Sequence, residues 1–313
     1  VGQQIAYRLL LSIPVLCGVL VFGFLLIKLA PGDPAMLIAG PSATPDVVEQ
    51  IRQEMGLDQP ALVQFWRYIT RVAQGDLGVS MINNTSVAGE LMTAMGATAE
   101  LMIACLAWAV PAGIAMGTVA AVFQRGPIDR GVMAISVAGV SMPVFFIGLL
   151  LMMFLGYRWQ LLPFLGRGGP LWTLEGLRHI ALPALTLGFI FVGPVARMTR
   201  ASVLDVLKAD FVRTARAKGL REGTVVIRHA LRNALIPVVT LVGLQAGYLL
   251  GGAVVTESIY SWPGVGRLAV GAILASDLPM AQGAVLMLAV AFLVINLIVD
   301  LLYGLLDPRV QRR

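Results

Sequence analysis

Charge is scarce in this chain. Charged residues make up 13% of its 313 residues, hydrophobic residues 58%, and the mean hydropathy is +0.84. A soluble globular domain carries roughly 25% charged residues, so the composition excludes that class and points to a polytopic membrane protein. Histidine is nearly absent too: His179 and His229 are the two present, and a histidine metal cluster cannot be built from them. The two cysteines, Cys17 and Cys105, both lie in apolar runs. They read as buried thiols, not as a disulfide framework or a metal site.

Other absences remove other activities. No GxxxxGK[ST] segment exists, so the chain has no phosphate loop of its own for ATP hydrolysis. HExxH and Gly-x-Ser-x-Gly are missing, and no pair of aspartates lies within apolar runs. A membrane enzyme has no visible constellation here. Ionisable groups are also missing from the middle of the apolar runs: Glu100 and Glu257 stand at their edges, and Asp300 near the inner end of the last. Ion-coupled carriers bury such groups near the midplane, which argues against a stand-alone carrier.

Six apolar runs are present: 9–27, 101–123, 132–157, 180–196, 234–256 and 281–302. Each approaches the ~20 residues needed to cross a hydrocarbon core, and the pattern predicts an all-α membrane protein of six transmembrane helices. The fourth run is short and holds Pro183 and Pro194, so it is expected to kink or to continue past Arg197. The first is too long for a signal-peptide core and lacks a clear small-residue cleavage site; it is expected to be retained. Val1 in place of methionine leaves the true N-terminus open.

The net charge of +6 reads as topological rather than as a nucleic-acid surface. With the N-terminus in the cytoplasm, fifteen of the 23 Lys and Arg residues fall inside: Arg8, Arg125, Arg130, Arg197, Arg200, the seven from Lys208 to Arg232, Arg309, Arg312 and Arg313. Both termini are therefore expected in the cytoplasm. The chain divides into 1–28 (N-terminus and first span), 29–100 (an extracytoplasmic segment) and 101–313 (a five-span core with a cytoplasmic loop at 203–232).

The extracytoplasmic segment reads as helical. Thr44 can cap a helix with Pro45 at its first position, Val47, Val48, Ile51 and Met55 form a stripe, and Gly56 can close it. A second helix follows from Pro60, with Leu62, Trp66, Ile69 and Val72 on one face and Gly75 as its stop. Packing over the bundle and docking of a partner are both open for it. Within the runs, Gly113/Gly117, Gly243/Gly247 and Gly247/Gly251 give GxxxG spacings that let helices approach closely. Pro143, Pro183 and Pro194 are candidate flex points.

The loop is unusual. Lys208, Arg213, Arg216, Lys218, Arg221, Arg228 and Arg232 all fall in it. Val203, Leu204, Val206 and Leu207 extend the fourth span as a helix would. Asp210 can cap a short helix from Phe211 to Lys218, ended by Gly219, with Phe211, Val212 and Ala215 apolar and Arg213, Arg216 and Lys218 basic. A second helix runs from about Glu222 towards Pro237. Two readings stand: an amphipathic surface segment on anionic membrane lipid, or a lever that docks into another subunit.

VRTARAKGL (Val212–Leu220) followed by RHALRNALIPVV (Arg228–Val239) resembles the "EAA" loop of ABC importer permeases, and more narrowly the oligopeptide/dipeptide permease family. PGDPA (Pro31–Ala35), GLDQP (Gly56–Pro60), GDLGVSM (Gly75–Met81), RMTRASVLDVL (Arg197–Leu207), ESIYSWPGVGRL (Glu257–Leu268) and LLYGLLDPRV (Leu301–Val310) stand in the family's order. The stretch from LIAGP (Leu37–Pro41) to GLDQP is also similar to the glutathione-importing branch.

The resemblance implies a type I ABC importer permease fold and a subunit of a bacterial inner-membrane importer. It implies a second homologous permease, two ATPase domains and an extracytoplasmic substrate-binding protein as partners. No cofactor is expected on this chain, with ATP and Mg on the ATPase subunits. Asp210, Phe211, Val212, Arg213, Thr214, Ala215, Arg216, Ala217, Lys218, Gly219 and Leu220 would couple to an ATPase. Arg213 stands where the wider motif has its glutamate. Ser258, Tyr260, Trp262, Pro263, Gly264, Gly266 and Asp277 would face the binding protein and gate the pathway; the alternative is a re-entrant helix that only seals the mouth. Specificity would reside mostly in the binding protein. The rival substrates on the same machinery are nickel or another small solute.

Overall fold

A computed structural model describes residues 2–29, 34–39, 43–54 and 56–306. Pro31, Gly32 and Asp33 of the PGDPA motif, Gly40 and Pro41, Met55, and the tail with Arg309, Arg312 and Arg313 lie outside the described residues, as does the side chain of Arg8.

The described chain is helical, with one isolated bridge, Val79 to Ser86, as its only β pairing. The helices are α1 (Gly2–Leu29), α2 (Pro34–Ala39), α3 (Pro45–Glu54), α4 (Ala61–Ala73), α5 (Val87–Val122), α6 (Pro127–Ser141), α7 (Val144–Leu151), α8 (Leu174–Val206), α9 (Asp210–Ala217), α10 (Glu222–Thr224), α11 (Arg232–Ile259), α12 (Val265–Leu274) and α13 (Leu278–Leu306). π-helical turns at Met152–Arg158 and Val225–Leu231 extend α7 and join α10 to α11.

Among the described residues, four helices are long and apolar enough to cross a membrane: Val87–Val122, Leu174–Val206, Glu222–Ile259 and Leu278–Leu301. α1 contributes the shorter apolar stretch Leu10–Leu26. The run at 132–157, expected as one crossing, is instead a pair of helices bent by 106°. The cause is local. Proline disfavours the α conformation in the residue before it, and Met142 sits extended at φ −88°, ψ 133° ahead of Pro143. Hydrophobicity continues across this break and hides it.

Pro183 and Pro194 behave differently. Both lie inside α8, which runs unbroken for 33 residues past Arg197. Likewise the helix begun at Glu222 passes through Pro237 and ends at Ile259.

The chain forms two compact units. The first comprises 1–5, 98–262 and 294–313; the second comprises 6–97 and 263–293. In the first, α8 is the buried centre, packed by α6, α7 and α11. α5 approaches it so closely that a Cβ on Gly113 would stand 2.7 Å from Val195 and one on Gly117 would collide with the Ala196 carbonyl. The first GxxxG pair therefore serves helix packing, whereas Gly251 of the last pair faces open space.

The second unit has its own core, built from Val87, Leu91 and Ala94 of α5, Val265, Ala269 and Ala272 of α12, and Met280, Ala281 and Ala284 of α13. α3 and α4 end as the sequence predicts, with Gly56 and Gly75 at positive φ. The apolar face of α4 is covered in part. Phe65 and Tyr68 make its aromatic contacts to Phe24 of α1, while Leu62 and Trp66 are exposed.

Candidate functional site

The loop between α8 and α11 is a folded element. α8 carries on to Val206, a three-residue turn follows, and α9 begins at Asp210. The expected cap is not made by Asp210: Ala209 holds the N-cap position without a side-chain bond, and Asp210 is the first helical residue. Its carboxylate stands 3.6 Å from Arg213, and its carbonyl accepts from Thr214 Oγ1 at 3.0 Å. An acid in the first turn still complements the helix dipole.

α9 has two faces. Val212 and Ala215 are buried against Val225, with Val206 and Leu207 beside them. That cluster adjoins another of Ala121, Val203 and Ala234, packed by Val206, Leu207 and Leu231. The short helix is thus clamped by apolar contacts to the end of α8 and to the π-helical turn that leads into α11. Phe211, predicted on the same apolar face, points outward instead and is 46% exposed. Arg213, Thr214, Ala217, Lys218 and Leu220 are exposed with it.

The turn after α9 is fixed by Gly219 at φ +77°. Its N–H donates to the Arg216 carbonyl at 2.9 Å, and Leu220 N–H reaches back to Ala215 at 3.4 Å. Such a conformation strains any residue bearing a Cβ. Arg216 then braces the turn: its Nε and Nη2 donate to Glu222 at 3.1 and 2.6 Å. The Glu222 carboxylate holds the Arg216 guanidinium above its ordinary range.

One tie of this region was not visible in the sequence. Asp129 of α6 is buried and accepts from Arg200 Nε and Nη2 at 2.5 and 2.7 Å, and from the Arg125 N–H at 2.8 Å. Arg200 lies in the quoted RMTRASVLDVL motif; its partner stands 71 positions away.

The segment from Ser258 to Asp277 is divided between the two units. In the first unit, Ser258 Oγ donates to Val254 of its own helix and stays exposed. Tyr260 is buried, its hydroxyl donating to the Gly148 carbonyl at 2.9 Å and bonded to Thr186 at 2.8 Å. Buried Trp262 donates its N–H to the Glu257 carbonyl at 2.9 Å. Glu257, which the apolar pattern puts at a span edge, is wholly buried inside the end of α11, where Thr98 donates to it at 2.7 Å.

In the second unit, Pro263 is exposed, Gly264 is the N-cap of α12, and Gly266 is buried in that helix. Asp277 precedes α13 and is buried. It accepts from Ser80 Oγ, from Met81 N–H at 3.2 Å and from Met280 N–H at 3.3 Å. It therefore caps α13 and pins the turn at 80–85. A cavity of about 680 Å³ opens here, lined by Ile82, Thr93, Pro263, Arg267, Leu268 and Asp277 among others. Among the described residues no group of acidic, histidine or cysteine side chains could hold a metal ion.

Long apolar helices, a sharply bent apolar pair and a helical loop packed between two long helices make up this architecture. Residues 109–312 match the family described as "Binding-protein-dependent transport system inner membrane component", and residues 3–102 match the N-terminal part of the same kind of membrane component. The chain belongs to this family of inner-membrane permeases. It is 46% identical over 304 residues, 97% of either chain, to the glutathione transport system permease protein GsiC of Escherichia coli O6:H1. Identity over the same extent is 46% to GsiC of Salmonella paratyphi A and 45% to that of Escherichia coli K12. The resemblance read from the motifs, to oligopeptide/dipeptide ABC importer permeases and to their glutathione branch, holds along nearly the whole chain.

Proposed function

We propose that this chain is half of the translocation pathway of an ABC importer for glutathione or closely related small peptides. The observation that carries the reading is the 46% identity to glutathione permeases across 97% of both chains. A second permease, two ATPase domains and an extracytoplasmic binding protein would complete the assembly, with both termini of this chain in the cytoplasm. ATP and Mg would be bound on the ATPase subunits.

α9 would be the part that an ATPase grips. Its inner face, Val212 and Ala215, is anchored to the end of α8 and to the π-helical turn that continues into α11, so a push on its outer face would reach two long helices rather than a loose loop. Phe211, Arg213 and Lys218 supply an apolar knob and two cations for a groove. The binding protein would choose the solute, and Ser258–Asp277 would meet it. In energetic terms, ATP binding on the partners would bias a bundle with two states.

The test is mild-detergent purification of the tagged chain with mass spectrometry of what accompanies it. A homologous permease with ATPases, and a cognate binding protein that takes up glutathione or small peptides, supports the reading. A chain that purifies alone overturns the coupling role, and a binding protein that takes nickel and no peptide overturns the substrate.

A further inference from the structure

α4 has more apolar surface than the protein covers. On a helical wheel Leu62 and Trp66 adjoin Ile69, so the apolar arc runs from Tyr68 through Phe65 to Trp66. The Phe65 side of that arc is engaged: Phe65 meets the Phe24 ring edge-on at 5.2 Å, and Tyr68 stacks on it at 6.4 Å. The other shoulder is bare, with Leu62 82% and Trp66 68% exposed. The opposite face of the helix is polar, with Gln64 and Arg67 on it.

The level of the contact says what covers that shoulder. Phe24 and its neighbour Gly23 lie within the apolar stretch Leu10–Leu26 of α1, and a Cβ on Gly23 would stand 3.3 Å from the Tyr68 hydroxyl. Lys28, with its ammonium 5.9 Å from the Phe24 ring, marks the end of that stretch. Phe24 is four residues before Lys28, which is about 6 Å of helix rise. Helices that lie in a membrane surface bury their apolar face roughly 5–10 Å into the boundary between headgroups and chains. α1 itself bares Val21, Phe22 and Leu25 at the same level. Tyr68 itself is half-buried there, and burial pushes its phenol up to about 12.

We infer that α4 is a membrane-surface helix, whose Leu62 and Trp66 insert into the lipid at the C-terminal end of α1. Tryptophan is enriched at that depth because its ring is apolar and its N–H is polar. Arg67, on the far side of the helix from Phe65, stands towards the headgroups and water. The segment between the first two spans is thereby held on the bilayer and not free above it. The inference commits to lipid; a protein covering the same shoulder is the outcome that contradicts it.

The test uses the intact assembly in lipid nanodiscs, with Cys17→Ser as background and single labels at Leu62→Cys, Trp66→Cys and Gln74→Cys. Collision of the spin labels with oxygen and with a water-soluble nickel chelate is measured. The expected result is a several-fold higher oxygen-to-nickel ratio at 62 and 66 than at 74. Nickel access at 62 and 66 equal to that at 74 overturns the inference, as does shielding from both reagents, which would mean a protein cover. Radical footprinting of the unaltered protein gives a second readout: Trp66 should be oxidised far less than Trp172, which is 84% exposed. Equal oxidation of the two overturns the inference without any substitution.

Discussion

Arg200 and Asp129 are joined by two hydrogen bonds, at 2.5 and 2.7 Å, that tie the start of α6 to the last two turns of α8. A forked guanidinium–carboxylate contact fixes orientation as well as distance. α8 leads into α9 through the turn at 207–209, so the pair holds α8 where it feeds the loop proposed to meet an ATPase.

Asp129→Ala and Arg200→Ala are each expected to lower the thermal midpoint of the purified assembly and to raise ATP hydrolysis per solute moved. Arg200→Lys, which keeps the charge and loses the fork, should fall between them and the unaltered chain. Wild-type midpoint and stoichiometry in both alanine variants would show that the pair is incidental.

Gly219 gives a sharper test of the loop. A residue with a Cβ at φ +77° costs roughly 1–2 kcal/mol, and proline cannot adopt that φ at all. Gly219→Pro should therefore leave the spans folded while cutting uptake per ATP, or should release the ATPases from the complex. Arg216→Glu puts a like charge against Glu222 and should act in the same direction. Normal uptake by both variants at normal expression would remove the coupling role.

Asp277 carries a prediction for the other unit. Asp277→Ala removes the acceptor for Ser80, Met81 and Met280, and loss of such a cap costs about 1–2 kcal/mol. Hydrogen exchange at residues 80–86 and in the first turn of α13 should rise, while exchange in α8 stays unchanged. Unaltered exchange at 80–86 would show that the turn is held by other contacts.

Thr98→Val removes the hydroxyl that donates at 2.7 Å to the buried Glu257 side chain. The expected loss of stability is roughly 1–3 kcal/mol, read as a lower denaturation midpoint. A Thr98→Val midpoint equal to wild type would contradict this.

Much of this architecture is written locally in the sequence. Long apolar runs announce α5, α8, α11 and α13, and glycine stops at 56, 75 and 219 place helix ends to within a residue or two. Motif order announces the family. What is not legible depends on partners distant in the chain. Periodicity puts Phe211 with Val212 and Ala215, but only packing against Val206, Leu207 and Val225 decides which of them is covered. Leu62 and Trp66 share an arc with Phe65, and the position of Phe24 decides which shoulder is left bare. At Met142–Pro143 the signal is present, yet an unbroken apolar run outweighs it. Asp129 gives no sign that its partner lies on α8.

The most direct test of the whole account is uptake of labelled glutathione into vesicles that hold the purified assembly, with its binding protein outside and ATP inside. The account predicts accumulation that needs both ATP and binding protein and that collapses with Gly219→Pro. Uptake by this chain alone without ATP, or ATP-driven uptake that Gly219→Pro leaves intact, would contradict it.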